Sequence, residues 1–171
     1  TNSEYILYII ASGEMYLKEN GTEYPLKQGD ILLLEPGCKH AGYKFAGSTY
    51  YFVHFNPSTF VKHENAPKED MQNIIKTSLY RNYNESSISE AHYNDTSIMI
   101  PKYMHIENSQ VFSQIVQQVI SAIQKEQTRH MYYKSLSSGH IVEMLTLYSS
   151  TWMFNAYGHS QSSISTSMYD K

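Results

Sequence analysis

Cysteine, tryptophan and proline are scarce in this 171-residue chain, with one, one and five copies. A lone Cys38 excludes an internal disulfide, so the core has to hold the fold, and a reducing cytoplasm is the expected home. No apolar run approaches the roughly 20 residues of a membrane span, nor the shorter core of a signal peptide. Positive charge is also in short supply: 13 Lys and Arg against 16 Asp and Glu give a formal charge of −3 and a pI near 6.2. That balance leaves no basic footprint for nucleic acid, so the chain is not expected to bind DNA alone. Catalytic signatures are missing too. There is no Gly-x-Ser-x-Gly elbow, Walker loop, dinucleotide fingerprint or paired-carboxylate motif, and no enzyme activity is expected.

What is present is a folded, aromatic-rich chain, 41% hydrophobic and 13% aromatic, with 16 tyrosines. Its length suits one core. The clearest stretch is 14–40, where strands at 14–19 and 22–26 are joined by Asn20-Gly21, a pair that tolerates positive φ at both centres of a type I′ turn. Counting outward from that turn sets Lys18 opposite Glu23, Leu17 opposite Tyr24 and Met15 opposite Leu26. Gly29-Asp30 then turns the chain into 31–34, four apolar residues ended by Pro36-Gly37. A strand without alternation is buried on both faces and needs a second layer.

Two further strands share that property, 5–10 before the break Ala11-Ser12-Gly13, and 49–55 before Pro57. With 41–45 they make six short strands at regular spacing, the mark of an antiparallel sandwich or barrel. A helix is predicted at 67–79, opened by Pro67 and acidic residues. A polar loop at 81–95 and a strand at 97–100 follow. Asn108 or Ser109 caps a helix whose stripe is Phe112, Ile115, Val116, Val119, Ile120 and Ile123. A second helix at about 132–154 carries Leu136, Ile141, Leu145, Tyr148 and Trp152, with Met144 beside them. Serine-rich 158–171 reads as a linker.

Three or four converging ligands make a metal site, usually with a short-spaced histidine pair. His40 and His54 are the only histidines the strands could bring together; His63, His92, His105, His130, His140 and His159 are scattered. Lys39 and His40 beside Cys38 could lower a thiol pKa, but neighbours in sequence are not thereby aligned in space. What remains is a pocket: aromatic strands suit a barrel holding a small organic ligand between ring walls. Tyr8, Tyr16, Tyr24, His40, Tyr43, Tyr51 and His54 are the candidate contacts, with Tyr50 among the same strands. Tyr51 and His54 differ by three positions, so only one of them can face inward in a regular strand.

The run from Gly13 to Glu23, then Leu26-Lys27-Gln28-Gly29-Asp30-Ile31-Leu32-Leu33-Leu34-Glu35-Pro36-Gly37-Cys38-Lys39-His40, then Tyr50-Tyr51-Phe52-Val53-His54-Phe55, resembles the N-terminal cupin domain of AraC-type transcriptional regulators. The resemblance is clearest over about residues 5–57. It implies a fold that is mainly β with C-terminal helices, a cupin, jelly-roll-like β-barrel followed by two α-helices. Barrel residues would be 1–106 with a helical or loop insertion at about 58–95, the two covering and dimerising helices 107–157, and the linker 158–171. The implied function is small-molecule sensing and homodimerisation, with Ile141, Leu145, Tyr148 and Trp152 as candidate dimer anchors. DNA would be read only through a C-terminal helix-turn-helix part outside this chain. Metal-dependent cupins carry a His-x-His pair and a glutamate in the strand where this chain has Met15-Tyr16-Leu17-Lys18, so no metal or other cofactor is implied. Only His40 matches the later metal-ligand position. The alternatives are a metal-dependent cupin enzyme and a dimerisation module without effector.

Overall fold

The computed structural model describes residues 3–59, 62, 69–70, 72–73 and 98–157 of the chain. Its central element is β1 (Tyr5–Glu19), one strand of 15 residues that serves two sheets. The N-terminal half pairs antiparallel with β3 (Asp30–Leu34) and β5 (Ser48–Phe55), and β6 (Tyr103–His105) pairs with β3. The C-terminal half pairs with β2 (Thr22–Lys27) and β4 (His40–Lys44). α1 (Ser109–Thr128) and α2 (Tyr133–Tyr157) follow. The fold is thus mainly β with C-terminal helices, a half-barrel of six antiparallel strands consistent with a cupin. Among the described residues no helix is long and apolar enough to cross a membrane.

The break expected at 11–13 is a bend and not an end. Gly13 takes φ +72° and the pairing with β5 shifts register between Ile10 and Ser12, so the strand turns from one sheet into the other without stopping. Glycine is what permits that conformation. The hairpin has the register its turn dictates, with Met15 opposite Leu26, Leu17 opposite Tyr24 and Lys18 opposite Glu23. Asn20 and Gly21 both have positive φ, as a type I′ turn requires. The strand expected at 97–100 is displaced: residues 98–100 are irregular, and pairing with β3 begins at Tyr103, beyond Pro101. Proline cannot donate to a ladder, so the pairing starts after it. The helix expected at 67–79 is described only at the helical positions Glu69, Asp70, Gln72 and Asn73. The loop at 81–95 and the segment 158–171 lie outside the described residues.

Apolar residues on both parities now have a reason. Leu7 and Ile9 of β1 and Ile31 and Leu33 of β3 face the helices, where Phe112, Ile115, Val119, Met144 and Tyr148 cover them. Their neighbours Ile6, Ile10, Leu32 and Leu34 face the other way, onto Leu17 and Leu26 of the second sheet. Each strand therefore serves two cores. The Asn108 side chain caps α1 by accepting from the backbone N–H of Gln110 and Val111 at 3.0 and 3.2 Å. Arg129 in the left-handed conformation ends it.

An ion-pair network ties the strand ends together. Glu19, 6% exposed at the end of β1, accepts the backbone N–H of Glu35 at 2.7 Å and pairs with the Lys102 ammonium. Lys102 also lies 3.2 Å from Glu35, and Lys62 2.9 Å from its other oxygen. Burial pushes the Glu35 carboxyl up, but its bonds and ion pairs with Lys62 and Lys102 outweigh this and hold it below the usual 4.5. A carboxyl lowered in the folded state contributes stability in full above its unfolded value, and loses it as pH falls through the lowered one. Thermal melting over a pH series is therefore expected to show a steeper loss below pH 4.5 in the wild type than in Glu35→Gln. Parallel curves would assign the acid loss to other carboxylates.

Candidate functional site

Aromatic rings line the inter-sheet face of β5 and the neighbouring part of β1. β5 is an edge of its sheet among the described strands, paired with β1 alone. Strand parity sends Tyr50, Phe52 and His54 to the inter-sheet face, alongside Tyr8 of β1, which pairs with Phe52. The rings of Tyr8, Tyr50 and Phe52 form a triangle with centroids 5.7, 6.1 and 6.3 Å apart and planes tilted 36–40°. His54 stands edge-on to Phe52 at 5.4 Å. Tyr50 is 43% and Phe52 53% exposed, so this wall shows ring surface that the fold leaves uncovered. A large apolar face left open is the observation that points to a ligand, since burying it would be favourable.

Polar groups stand at the margins of the wall. His54 Nδ1–H donates to the Glu4 carboxylate at 2.8 Å; the carboxylate can only accept, which fixes the imidazole proton. Burial, and then the neighbouring Tyr50, push the Tyr8 hydroxyl above its ordinary value, so it stays a neutral donor. His40, opposite Glu19 in the β1–β4 pairing, has a buried Nδ1 with no hydrogen-bond partner among the described residues. At the far edge Asp30, 1% exposed, accepts from Lys27 N–H at 2.7 Å, His105 at 2.8 Å and the Tyr103 hydroxyl at 3.0 Å. Burial and then that carboxylate push the Tyr103 hydroxyl up to about 12. Among the described residues no group of three or more His, Cys, Asp or Glu converges as metal ligands would.

The sequence-selected tyrosines divide three ways. Tyr8 and Tyr24 pack on the inter-sheet core, and His54 joins Tyr8 there. Tyr51 turns to the helix side, where it packs with Val53 and Phe55, so the choice between Tyr51 and His54 falls to His54 for this face. Tyr16 and Tyr43 meet edge to face at 5.7 Å beside Lys44, whose ammonium lies 4.1 Å from the Tyr16 ring centroid. Tyr16 alternates with the inward Met15 and Leu17, so that pair is on the outer side of the second sheet. Phe52, Glu4 and the Glu19–Lys102 pair were not singled out from sequence. Phe52 shares parity with Tyr50 and His54, a signal hidden because 49–55 is apolar on both parities. Of the helix residues, Tyr148 is fully buried with its hydroxyl 3.3 Å from the Pro101 carbonyl. Ile141, Leu145 and Trp152 are half-buried against the same core.

A concavity of about 720 Å³ runs along the β5 edge on the helix side, between Phe52, Val53, His54 and the helix residues Val119, Ala122, Ile123 and Ile141. It is wide and shallow. It shares Phe52 and His54 with the ring wall, and Glu126, Gln127, Arg129 and Ser137 add polar groups to its lining.

Among protein families, the model of the AraC-like ligand binding domain matches residues 1–131, the stretch that holds the described strands and α1. The chain belongs to this family. It is a sensing domain of an AraC-type regulator. A 56-residue stretch is also 34% identical to an uncharacterised HTH-type transcriptional regulator, YisR, of Bacillus subtilis (strain 168). That match covers 32% of this AraC-like domain and spans 20% of the relative's length.

Proposed function

We propose that this AraC-like domain binds a small-molecule effector on the Tyr8–Tyr50–Phe52 wall and passes the binding event to a paired copy through α2. It acts without catalysis, in the cytoplasm, and DNA is read by a separate helix-turn-helix part of the whole regulator. Residues 1–106 form the sensing part and 107–157 the coupling part in this reading. The observation that carries it is the half-exposed ring triangle, set in a space between sheets. A screen of sugars, aromatic acids, fatty acids, organic amines and divalent metals by thermal shift tests it. Ligand at about a hundredfold over Kd should raise the melting temperature by several degrees. Phe52→Ala, at a half-exposed position, should leave the melting temperature nearly unchanged and abolish the shift. A ligand whose stabilisation survives Phe52→Ala would place the site elsewhere.

Pairing is proposed for the flank of α2 that carries Leu145 and Trp152 and the exposed Val142; Tyr148 is committed to the monomer core. A charge on that flank should separate the copies with little cost to the fold, because Val142 is 52% exposed. Val142→Glu is expected to be a folded monomer by size-exclusion mass measurement, where wild type is a dimer. Leu145→Glu should do the same at a larger cost in stability, since Leu145 also packs on the core. A dimeric Val142→Glu would move the contact off this flank.

A further inference from the structure

We infer that the effector taken by the ring wall is an organic cation, an alkylammonium or quaternary ammonium group carried on a small apolar body. The inference rests on the sensor reading above and specifies its ligand chemistry. Three aromatic rings lie within 6.3 Å of one another, and two of them, Tyr50 and Phe52, are half exposed. Ring faces carry the negative part of the aromatic quadrupole, so they attract cations and repel anions. The same chain shows the preference elsewhere, with the Lys44 ammonium 4.1 Å from the centroid of Tyr16.

Charge on the inter-sheet side points the same way. Glu4 stands at the wall itself, bonded to His54, while the carboxylates of Glu19 and Glu35 are matched by the ammonium groups of Lys62 and Lys102, and Glu126 and Arg129 line the adjoining β5 edge together. Both lysines are engaged with Glu19 or Glu35, so neither stands ready to receive a carboxylate or phosphate from a ligand. Burial keeps the Tyr8 hydroxyl protonated, so the wall itself adds no anion. Glu4 reaches the wall through His54, which stands edge-on to Phe52, and there its charge faces a cation seated on the ring. A carboxylate beside an apolar ring floor favours a ligand that is positive at one end and greasy at the other.

Isosteres of different charge test this. Choline and tetraethylammonium supply the cation, neohexanol is choline's uncharged carbon counterpart, and tert-butylacetate is the anionic one; binding is read by calorimetry and thermal shift on the intact chain. A cation should bind about tenfold or more tightly than neohexanol, with tert-butylacetate weakest. Phe52→Leu, which keeps apolar area and removes the ring face, should erase the preference for the cation over neohexanol. Glu4→Gln should weaken the cations and leave neohexanol unchanged. Equal binding of choline and neohexanol, tighter binding of the anion, or no binding of either cation would overturn the cation assignment. The sensor reading would survive those results if some other metabolite lost its binding on Phe52→Ala, and would fall with the assignment if no metabolite did.

Discussion

Replacing Gly13 with valine is expected to cost on the order of 4 kcal/mol, among the largest single-residue effects in this fold. Two separate penalties meet at this position. Gly13 sits at φ +72°, where any side chain is strained by about 1–2 kcal/mol and a β-branched one by more. A Cβ there would also lie 2.1 Å from the Gly47 carbonyl oxygen and 3.0 Å from the Ser48 Cα. Those are backbone atoms, and the Gly47 carbonyl is held by the Glu14 N–H at 3.2 Å, so no side-chain rotation relieves the clash. The bend between the sheets would have to open, and with it the ring wall on β5. Gly21→Val is the control, because φ is +92° there and, among the described residues, no atom beyond its chain neighbours lies within 4 Å of where a Cβ would stand. Urea denaturation should show that variant losing only the conformational part. Equal losses at the two positions would mean that the β1 bend yields freely.

Local physics made much of this fold readable from sequence. Asn20-Gly21 can make only a few turns, and the turn fixes the register of every pair behind it, so Lys18 opposite Glu23 needed no tertiary information. The double parity of 5–10 and 31–34 announced strands with a layer on each side, and the helices and second sheet supply those layers, whereas 49–55 is covered on the helix side alone and leaves Tyr50 and Phe52 exposed. Asn108 followed by an apolar stripe located the start of α1. The α2 stripe was less legible. Apolar residues surround that helix, so Leu136 and Tyr148 looked alike, yet one is exposed and the other is at the centre of the core.

What stayed hidden depends on contacts distant in sequence. Ala11-Ser12-Gly13 is a good break by composition, and it became a bend because β5 pairs across it and holds both halves in one strand. β6 is only three residues long and owes its pairing to β3, so no period of its own could locate it. The choice between Tyr51 and His54 required knowing which face of β5 the helices cover. Phe52 was concealed by the same double parity that identified its strand. Glu19 resembled an ordinary hairpin charge, since Lys102, its partner, lies far along the chain.

Glu19→Ala is the second large effect, expected to cost about 2–4 kcal/mol. Removing the carboxylate leaves the Glu35 N–H without its 2.7 Å acceptor and takes one of two acidic partners from Lys102. The cost stays below that of a fully buried broken pair because the Lys102 side chain is 31% exposed and keeps Glu35 at 3.2 Å. Pairing the change with Lys102→Met should recover about 1 kcal/mol or more relative to the single variant, because the stranded ammonium goes with it. Additive losses would mean that the two side chains do not act as a pair. The position of Lys102 gives the network a second consequence. Its carbonyl accepts the Leu33 N–H at 2.8 Å, and the carbonyl before it, on Pro101, accepts the Tyr148 hydroxyl of α2. Glu19 therefore grips, through one lysine, the segment that joins the two-sheet space to the helix proposed to pair with a second copy. Hydrogen exchange in Glu19→Ala should accelerate at Leu33 while the distant end of α1 keeps its protection, because the segment loosens before the helix layer does. Uniform acceleration across both would mean that the substitution lowers global stability alone and that this segment carries no separate motion between the sensing face and α2.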